Sequence, residues 1–326
     1  MPSWISKSFL RIFFATDVHG SDVTFSKFLN AASFYKADVL ILGGDITGKM
    51  IIPLMDLGNG SYLVRLLGQD LTVAKGLALD GKLRSIRVLG FYPYYTTKEE
   101  WAELDANPTK YSDLFKKLSI ERLQSWIALA EQRLRAQGTS IYITGGNDDS
   151  PYIEEFLKQQ QFIIDPEDRV VNVGGLMDMV SLGFSNPTPW KTPRELSEDD
   201  LGVKLEGLIA KVPDPSKSIF NIHVPPYNST IDAAPMIDGS VTPPRYVLKD
   251  GMPQSISAGS TAVRKAIEKF QPVLALHGHI HESRGAIKIG KTMCLNPGSE
   301  YGEGILRGVI VNVDAKGLKG FQLTSG

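Results

Sequence analysis

The chain has 326 residues, enough to bury a full core as one large domain or two smaller ones. Its 35 Lys+Arg stand against 36 Asp+Glu, so the total charge carries no footprint for a polyanion such as nucleic acid. A single cysteine, Cys294, excludes an intrachain disulfide and fits a reducing compartment. Lys7 and Arg11 interrupt the Met1 to Phe14 stretch, and no uncharged apolar run of about 18 residues occurs. Neither a signal peptide nor a membrane span is expected, and the expected location is cytoplasmic.

In chain order, Phe9 to Ala15 reads as a buried strand, and Thr16-Asp17-Val18-His19-Gly20 as the loop leaving its end. Phe25, Phe28, Leu29, Ala32 and Tyr35 recur at helical spacing, predicting a helix from about Asp22 to Lys36. Asp38 to Leu42 is a second apolar strand, broken by Gly43-Gly44 before Asp45. This strand–helix–strand unit implies parallel pairing, with Asp17 and Asp45 at neighbouring C-terminal strand ends. The stretch from Asp45 to Ile120 is longer than a strand–helix alternation needs, so an inserted hairpin or cap is expected at about 50–118 of a single 1–326 domain. Within it, Ser61 to Leu67 and Lys82 to Leu89 look like strands, with Asp80-Gly81 as a turn, followed by the aromatic Phe91-Tyr92-Pro93-Tyr94-Tyr95. These tyrosines either present a ring at a nearby site or pack the hairpin down.

Ile120, Leu123, Trp126, Ile127, Ala130 and Leu134 form a helical stripe ending at Gly138. Ser140 to Thr144 leads to Asn147, Ser218 to Ile222 leads to His223, and Pro272 to Leu276 leads to His279. Ser260 or Thr261 can cap a helix carrying Val263, Ala266, Ile267 and Phe270. Gly308 to Leu323 reads as a hairpin turning at Asp314-Ala315-Lys316-Gly317, while Ser185 to Pro215 and Pro225 to Pro253 read as irregular.

Five short motifs close these strands: Asp17-Val-His19, Gly44-Asp45, Gly146-Asn147-Asp148-Asp149, His223, and Gly278-His279-Ile280-His281. They hold four of the five histidines, and would supply seven ligands for a two-metal centre. Imidazole, carboxylate and amide oxygen together suit Mn, Fe or Zn. Read alone, Asp17 and Asp45 would be turn or cap residues, His223 a core histidine, and Asn147 plain turn chemistry. Their order at successive strand ends is what makes them candidates. His277 reads as packed beside the site rather than as a ligand, and Asn59 in Gly58-Asn59-Gly60 as a turn residue that follows no convincing strand.

The motif series resembles the calcineurin-like metallophosphoesterase superfamily from Arg11 to about Ser299, including Asn296-Pro297-Gly298-Ser299, which is either a plain turn or a lining of the site. The resemblance implies an α/β fold, a four-layer α/β/β/α sandwich of two mixed sheets. It implies that Asp17, His19 and His281 bind one divalent metal ion, that Asn147, His223 and His279 bind a second, and that Asp45 bridges both. Mn is favoured among Mn, Fe and Zn. The water shared between the two ions would become the nucleophile attacking a phosphate ester.

One departure stands out. Many relatives carry His after the Asn, and this chain has Asp148 there. A carboxylate beside two dications is expected to stay ionised, to donate no proton and to repel a dianion. The expected activity is therefore a metal-dependent phosphoric ester hydrolase of small substrates, acting on diesters before monoesters. The alternatives are a non-catalytic binding or scaffold protein on the same fold, and a nuclease, which the charge balance disfavours.

Overall fold

In the computed structural model, residues 9–241 and 245–326 are described; residues 1–8 of the N-terminal stretch read for a signal peptide, and three within the Pro225 to Pro253 stretch, lie outside them. The elements are β1 (Phe9–Ala15), α1 (Asp22–Phe34), β2 (Val39–Gly43), β3 (Ile51–Asp56), β4 (Ser61–Leu66), β5 (Gln69–Ala74), α2 (Leu77–Val88), β6 (Tyr92–Thr96), α3 (Lys98–Asp105), α4 (Pro108–Leu134), β7 (Ser140–Thr144), α5 (Pro151–Lys158), β8 (Arg169–Val173), β9 (Met177–Leu182), α6 (Glu198–Ile209), β10 (Ile219–Ile222), several short ribbons between Ala233 and Ser257, α7 (Thr261–Phe270), β11 (Leu274–Leu276), β12 (Gly285–Ile289), β13 (Thr292–Asn296), β14 (Arg307–Asp314) and β15 (Gly317–Ser325).

Alternation along β1 explains the stacking. Phe13 and Ala15 face a core shared with α1, α4 and α5, in which Trp126 stacks on Phe25 at 4.1 Å. Leu10, Ile12 and Phe14 face the opposite way, onto Met179, Ile219, Leu274 and Leu295 of a second sheet. A strand apolar on both faces must be covered on both. The outer face of the second sheet, with Val180, Phe220 and Ala275, packs on Leu201, Leu205, Val263 and Ile267 of α6 and α7.

The first sheet runs in the order β15-β14-β1-β2-β7, with β1, β2 and β7 parallel and the C-terminal hairpin antiparallel. The second runs β12-β13-β11-β10-β9-β8, parallel in its centre and antiparallel at both edges. Both sheets are mixed, and the protein is an α/β sandwich. Side-by-side parallel strands bring the ends of β1, β2 and β7 together on one edge, and those of β10 and β11 together on another.

The stretch expected as an inserted hairpin or cap holds more than a hairpin. It is a four-stranded sheet, β5-β4-β3-β6, carrying helix α2. Residues 82–89, strand-like in sequence, belong to α2 and its cap, and Asp80-Gly81 lies inside that helix rather than in a turn. The physical reason is the phase of Leu79, Leu83 and Ile86, which falls on one helical face and packs on Ile52, Leu54 and Val64. Helix α4 runs straight through the expected end of the insertion at about 118, from an Asn107 cap to Leu134. Asn59 does follow a strand, β3, but that strand belongs to the insertion's own sheet. The Ser185 to Pro215 stretch is likewise not wholly irregular, since Ser197 caps α6 by accepting from Asp200 N. Among the described residues, no helix is long and apolar enough to cross a membrane.

Candidate metal centre

Each motif leaves the C-terminal end of a strand: Asp17 and His19 after β1, Asp45 after β2, Asn147 after β7, His223 after β10, and His279 and His281 after β11. The loops are tied to one another by backbone bonds. Asp17 N donates to Gly44 O (2.9 Å), His19 N to Asp45 O (2.9 Å), and Gly278 N to His223 O (2.8 Å). Asp17, His19, Asp45 and His279 take left-handed backbone conformations, with φ of 54°, 39°, 49° and 67°. Non-glycine residues held there cost about 1 kcal/mol or more each, and such strain gathers at functional sites. Two glycines allow the loops to approach. A Cβ on Gly146 would lie 2.1 Å from Asp45 Oδ1, and one on Gly278 would lie 2.4 Å from Asp17 Oδ2.

The structure brings all seven expected ligand residues together. His19 Nε2 and His281 Nε2 face each other at 3.1 Å, His281 Nε2 lies 3.4 Å from Asp17 Oδ1, and His19 Nε2 lies 3.7 Å from Asp45 Oδ2. On the other side, His223 Nε2 is 3.4 Å from Asp45 Oδ2, and His279 Nδ1 is 2.7 Å from Asn147 Oδ1. Asp45 thus stands between the two groups. His223 Nδ1 donates to Gly43 O (3.0 Å), which leaves the buried Nε2 aimed at the carboxylates of Asp45 (3.4 Å) and Asp17 (3.8 Å), with no geometrically sound hydrogen bond among the described residues.

Without a metal, these groups perturb one another strongly. Burial opposes the charged form of Asp17, but the hydrogen bond from His281 and the charge on His223 hold it at about 2. His223 is pushed up to about 9; burial works against this, and Asp45 beside it prevails. Burial drives His279 down to about 4, with His223 adding to the effect, and pushes His19 well below its ordinary value. His277 is also buried and held at about 4, its Nδ1 donating to Ile222 O (2.8 Å) and Val224 O (3.2 Å) on either side of His223.

Asn147 is oriented by residues from a stretch that reads as irregular in the sequence. Its Nδ2 donates to Thr192 Oγ1 (2.8 Å), and that hydroxyl donates to Glu195 Oε1 (2.8 Å). Burial pushes the Glu195 carboxyl up, yet hydrogen bonds from Thr188 and Thr192 hold it below the ordinary range, so it accepts only. The chain of donors fixes the amide with its oxygen toward His279. Arg194 completes the clamp: its N donates to Asn147 O (3.2 Å) and its guanidinium to Gly146 O (3.2 Å), while it pairs with buried Glu167. Asp149 ties this loop to the next one, accepting from Ile46 N (3.0 Å), Thr47 N (2.9 Å) and Gly146 N (2.8 Å). Asn296 and Ser299 brace the remaining loop. Asn296 Nδ2 donates to Ile280 O (3.0 Å), and Ser299 Oγ to Asp17 O (2.7 Å).

No family model matches the chain. The uncharacterized protein MJ1162 of Methanocaldococcus jannaschii is 35% identical over 133 residues, which is 40% of this chain and 52% of that protein, so the chain spans about half the length of the curated relative it matches. One crystal structure aligns with 97% of this chain and 98% of its own at a TM-score of 0.54 and 15% identity. That of TT1561 of Thermus thermophilus aligns over the same shares at 0.50 and 12%. A dimetal phosphatase from Danio rerio aligns over 97% of this chain and 98% of its own at 0.42 and 9%, too distant to carry anything further. The likeness to the first two structures is one of overall fold.

The departure at Asp148 has a partner that no motif marks. Asp148 N donates to Asp45 Oδ1 (3.0 Å), and its Oδ2 lies 3.9 Å from His19 Nδ1 and 2.8 Å from Lys49 Nζ. In the metal-free protein, burial and the Asp45 charge push the Asp148 carboxyl up while Lys49 pulls it back. Bound dications would reverse that balance. The expected repulsion of a dianion by Asp148 is thus offset by a neighbouring cation. Tyr301 is a second residue outside the motifs; its ring lies 4.7 Å from that of His19 and 6.0 Å from that of His281. The insertion's tyrosines are mostly spent on packing. Tyr92 is buried and accepts from Gly48 N (2.8 Å), Tyr94 donates to Glu100 Oε1 (2.7 Å), and the exposed Tyr95 ring packs edge-on against Tyr62. The insertion still borders the site loops, since a Cβ on Gly90 would collide with His19 O at 1.8 Å.

Proposed function

We propose that this chain is a dinuclear metal-dependent phosphoesterase acting on small phosphate esters, diesters before monoesters. The observation that carries the reading is the spacing of the donor atoms. Two ligands on one ion bound at about 2.1 Å stand about 3.0–3.4 Å apart, depending on geometry. The His19–His281, His281–Asp17 and His223–Asp45 separations of 3.1, 3.4 and 3.4 Å lie in that range. Among the described residues, the buried Nε2 of His223 meets only carboxylate oxygens, the nearest Asp45 Oδ2 at 3.4 Å. A donor set of nitrogen and oxygen without sulfur suits Mn, Fe or Zn.

Asp17, His19 and His281 would hold one ion, Asn147, His223 and His279 the other, and Asp45 would serve both. When bound, the pair of ions supplies activation of water and neutralisation of charge on the phosphoryl group. The chain contributes the rest. Asp45 offers one anionic bridge. Four of the six remaining positions are imidazoles, neutral when they ligate, and one is an amide, so the total negative charge stays low enough to admit a phosphate. Thr192 keeps the Asn147 amide oxygen inward, and Arg194 holds the backbone of that loop. No imidazole follows Asn147, so the leaving oxygen lacks that proton donor, a loss of about 10²–10⁴-fold for poor leaving groups. Diesters with good leaving groups suffer least.

The test loads purified protein with Mn and screens cyclic nucleotides, diesters and monoesters. Two metal ions per chain and turnover of bis-p-nitrophenyl phosphate faster than p-nitrophenyl phosphate are expected. Absence of bound transition metal under every loading condition would refute the enzyme reading.

A further inference from the structure

Lys49 lies four residues beyond Asp45 on the loop after β2, and its ammonium reaches Asp148 beside the cluster. Its side chain is 46% exposed while that of Asp148 is 25% exposed, so the pair is in reach of solvent and of a dissolved anion. Asp148 Oδ2 takes one of the three ammonium hydrogens at 2.8 Å. Two hydrogens remain for an incoming anion. The ammonium is close enough to the cluster that its charge helps push His19 down and opposes the rise of His281, and it acts on Tyr301 as well.

We propose that Lys49 binds a non-bridging phosphoryl oxygen of the substrate, a fixed cation paired with Asp148 beside the ligand cluster. The assignment deepens the phosphoesterase reading and rests on it. The bland rival is a salt bridge at the surface that only tethers a loop, and such exposed pairs contribute little. The two differ in what they do to anions. A tether leaves phosphate affinity alone, whereas an anchor sets it, because a hydrogen bond from a charged donor is among the stronger ones available. The anchor also widens the substrate class. With the Asp148 charge offset, a dianionic terminal phosphate is not turned away, and the bias toward diesters rests on the missing proton donor alone.

The experiment compares Mn-loaded wild type with Lys49→Met, Lys49→Arg and Lys49→Gln. Inorganic phosphate is titrated calorimetrically, and KM is measured for bis-p-nitrophenyl phosphate. Two Mn per chain are expected throughout. Lys49→Met should weaken phosphate binding about tenfold or more and raise KM by a similar factor, while Lys49→Arg should recover most of the affinity. Lys49→Gln keeps much of the reach without the charge and should also lose affinity, which secures the test if the Met variant fails to fold. Phosphate binding in Lys49→Met and Lys49→Gln equal to wild type would overturn the proposal. Lys49-dependent phosphate binding without turnover of any ester would instead overturn the phosphoesterase reading and leave this assignment standing.

Discussion

Thr192→Val isolates the orientation of one ligand. The substitution keeps the side chain's shape and removes the hydroxyl that accepts from Asn147 Nδ2 at 2.8 Å and donates to Glu195 Oε1 at 2.8 Å. Glu195 keeps the Thr192 backbone donor at 2.7 Å and the Thr188 hydroxyl at 2.5 Å, so the larger loss falls on Asn147. Asn147 is 3% exposed, and water cannot freely replace the missing acceptor. An orphaned buried donor costs about 1–3 kcal/mol, and the amide can escape that cost only by rotating its oxygen away from His279. Either route weakens the Asn147–His223–His279 position, by about 10–100-fold, as supporting residues of a metal site commonly do when removed. Competition against a chromophoric chelator should resolve two Mn affinities in the wild type and show only one of them shifted in the variant. Thr192→Ser should behave as wild type. Unchanged affinities, or equal weakening of both sites, would refute the reasoning.

Asp45→Ala should abolish activity and remove both metal equivalents, as seen by elemental analysis, because one carboxylate faces both groups of ligands. Gly146→Ala should do nearly the same damage without touching a ligand, since its Cβ would meet Asp45 Oδ1 at 2.1 Å and Asp45 N at 2.3 Å; near-normal turnover would mean that the loop yields. Asn59→Ala should be silent in kinetics, because Asn59 Oδ1 accepts from the Ser61 amide (3.2 Å) and hydroxyl (2.6 Å) of its own turn. The metal-free protein should have a distinctive pH profile. His223 is raised from 6.5 to about 9, so its stabilisation is fully present below pH 6.5 and is lost as pH rises through 9; the difference is of the order of 3 kcal/mol. His279 and His277, both lowered to about 4, act in the opposite sense and erode stability as pH falls below 6.5. Thermal melts in chelator should therefore peak at about pH 6.5, and a melting temperature that climbs steadily to about pH 9.5 would contradict the assignment.

The central strands are legible because they are buried on both faces, so Val39–Gly43 is apolar from end to end and Ser140–Thr144 carries the apolar centre Ile141-Tyr142-Ile143. Their polar successors then stand out at once as motifs. The insertion is less legible. In residues 82–89 apolar and polar residues mix in a way that fits either period, and only the packing of Leu79, Leu83 and Ile86 on the insertion's own sheet decides for a helix. Helix α6 is hidden by the prolines before it and by Glu198-Asp199-Asp200 in its first turn, although Leu201, Leu205 and Leu208 keep helical spacing. At the site, every residue found from sequence lies in the loop directly after a strand. Lys49, Thr192 and Tyr301 stand outside those motifs, and their approach is set by tertiary structure; Thr192 reaches Asn147 across 45 residues of chain. No local pattern carries that information.

The left-handed backbone at Asp17, His19, Asp45 and His279 has a consequence for how this sequence can change. Glycine would relieve the strain at each of the four, and together they hold on the order of 4 kcal/mol, a sizeable part of an ordinary domain's margin. Selection for heat resistance in metal-free protein should therefore drift toward glycine at the very positions that carry ligand atoms. Robustness of the empty scaffold and competence of the site pull the same four codons in opposite directions.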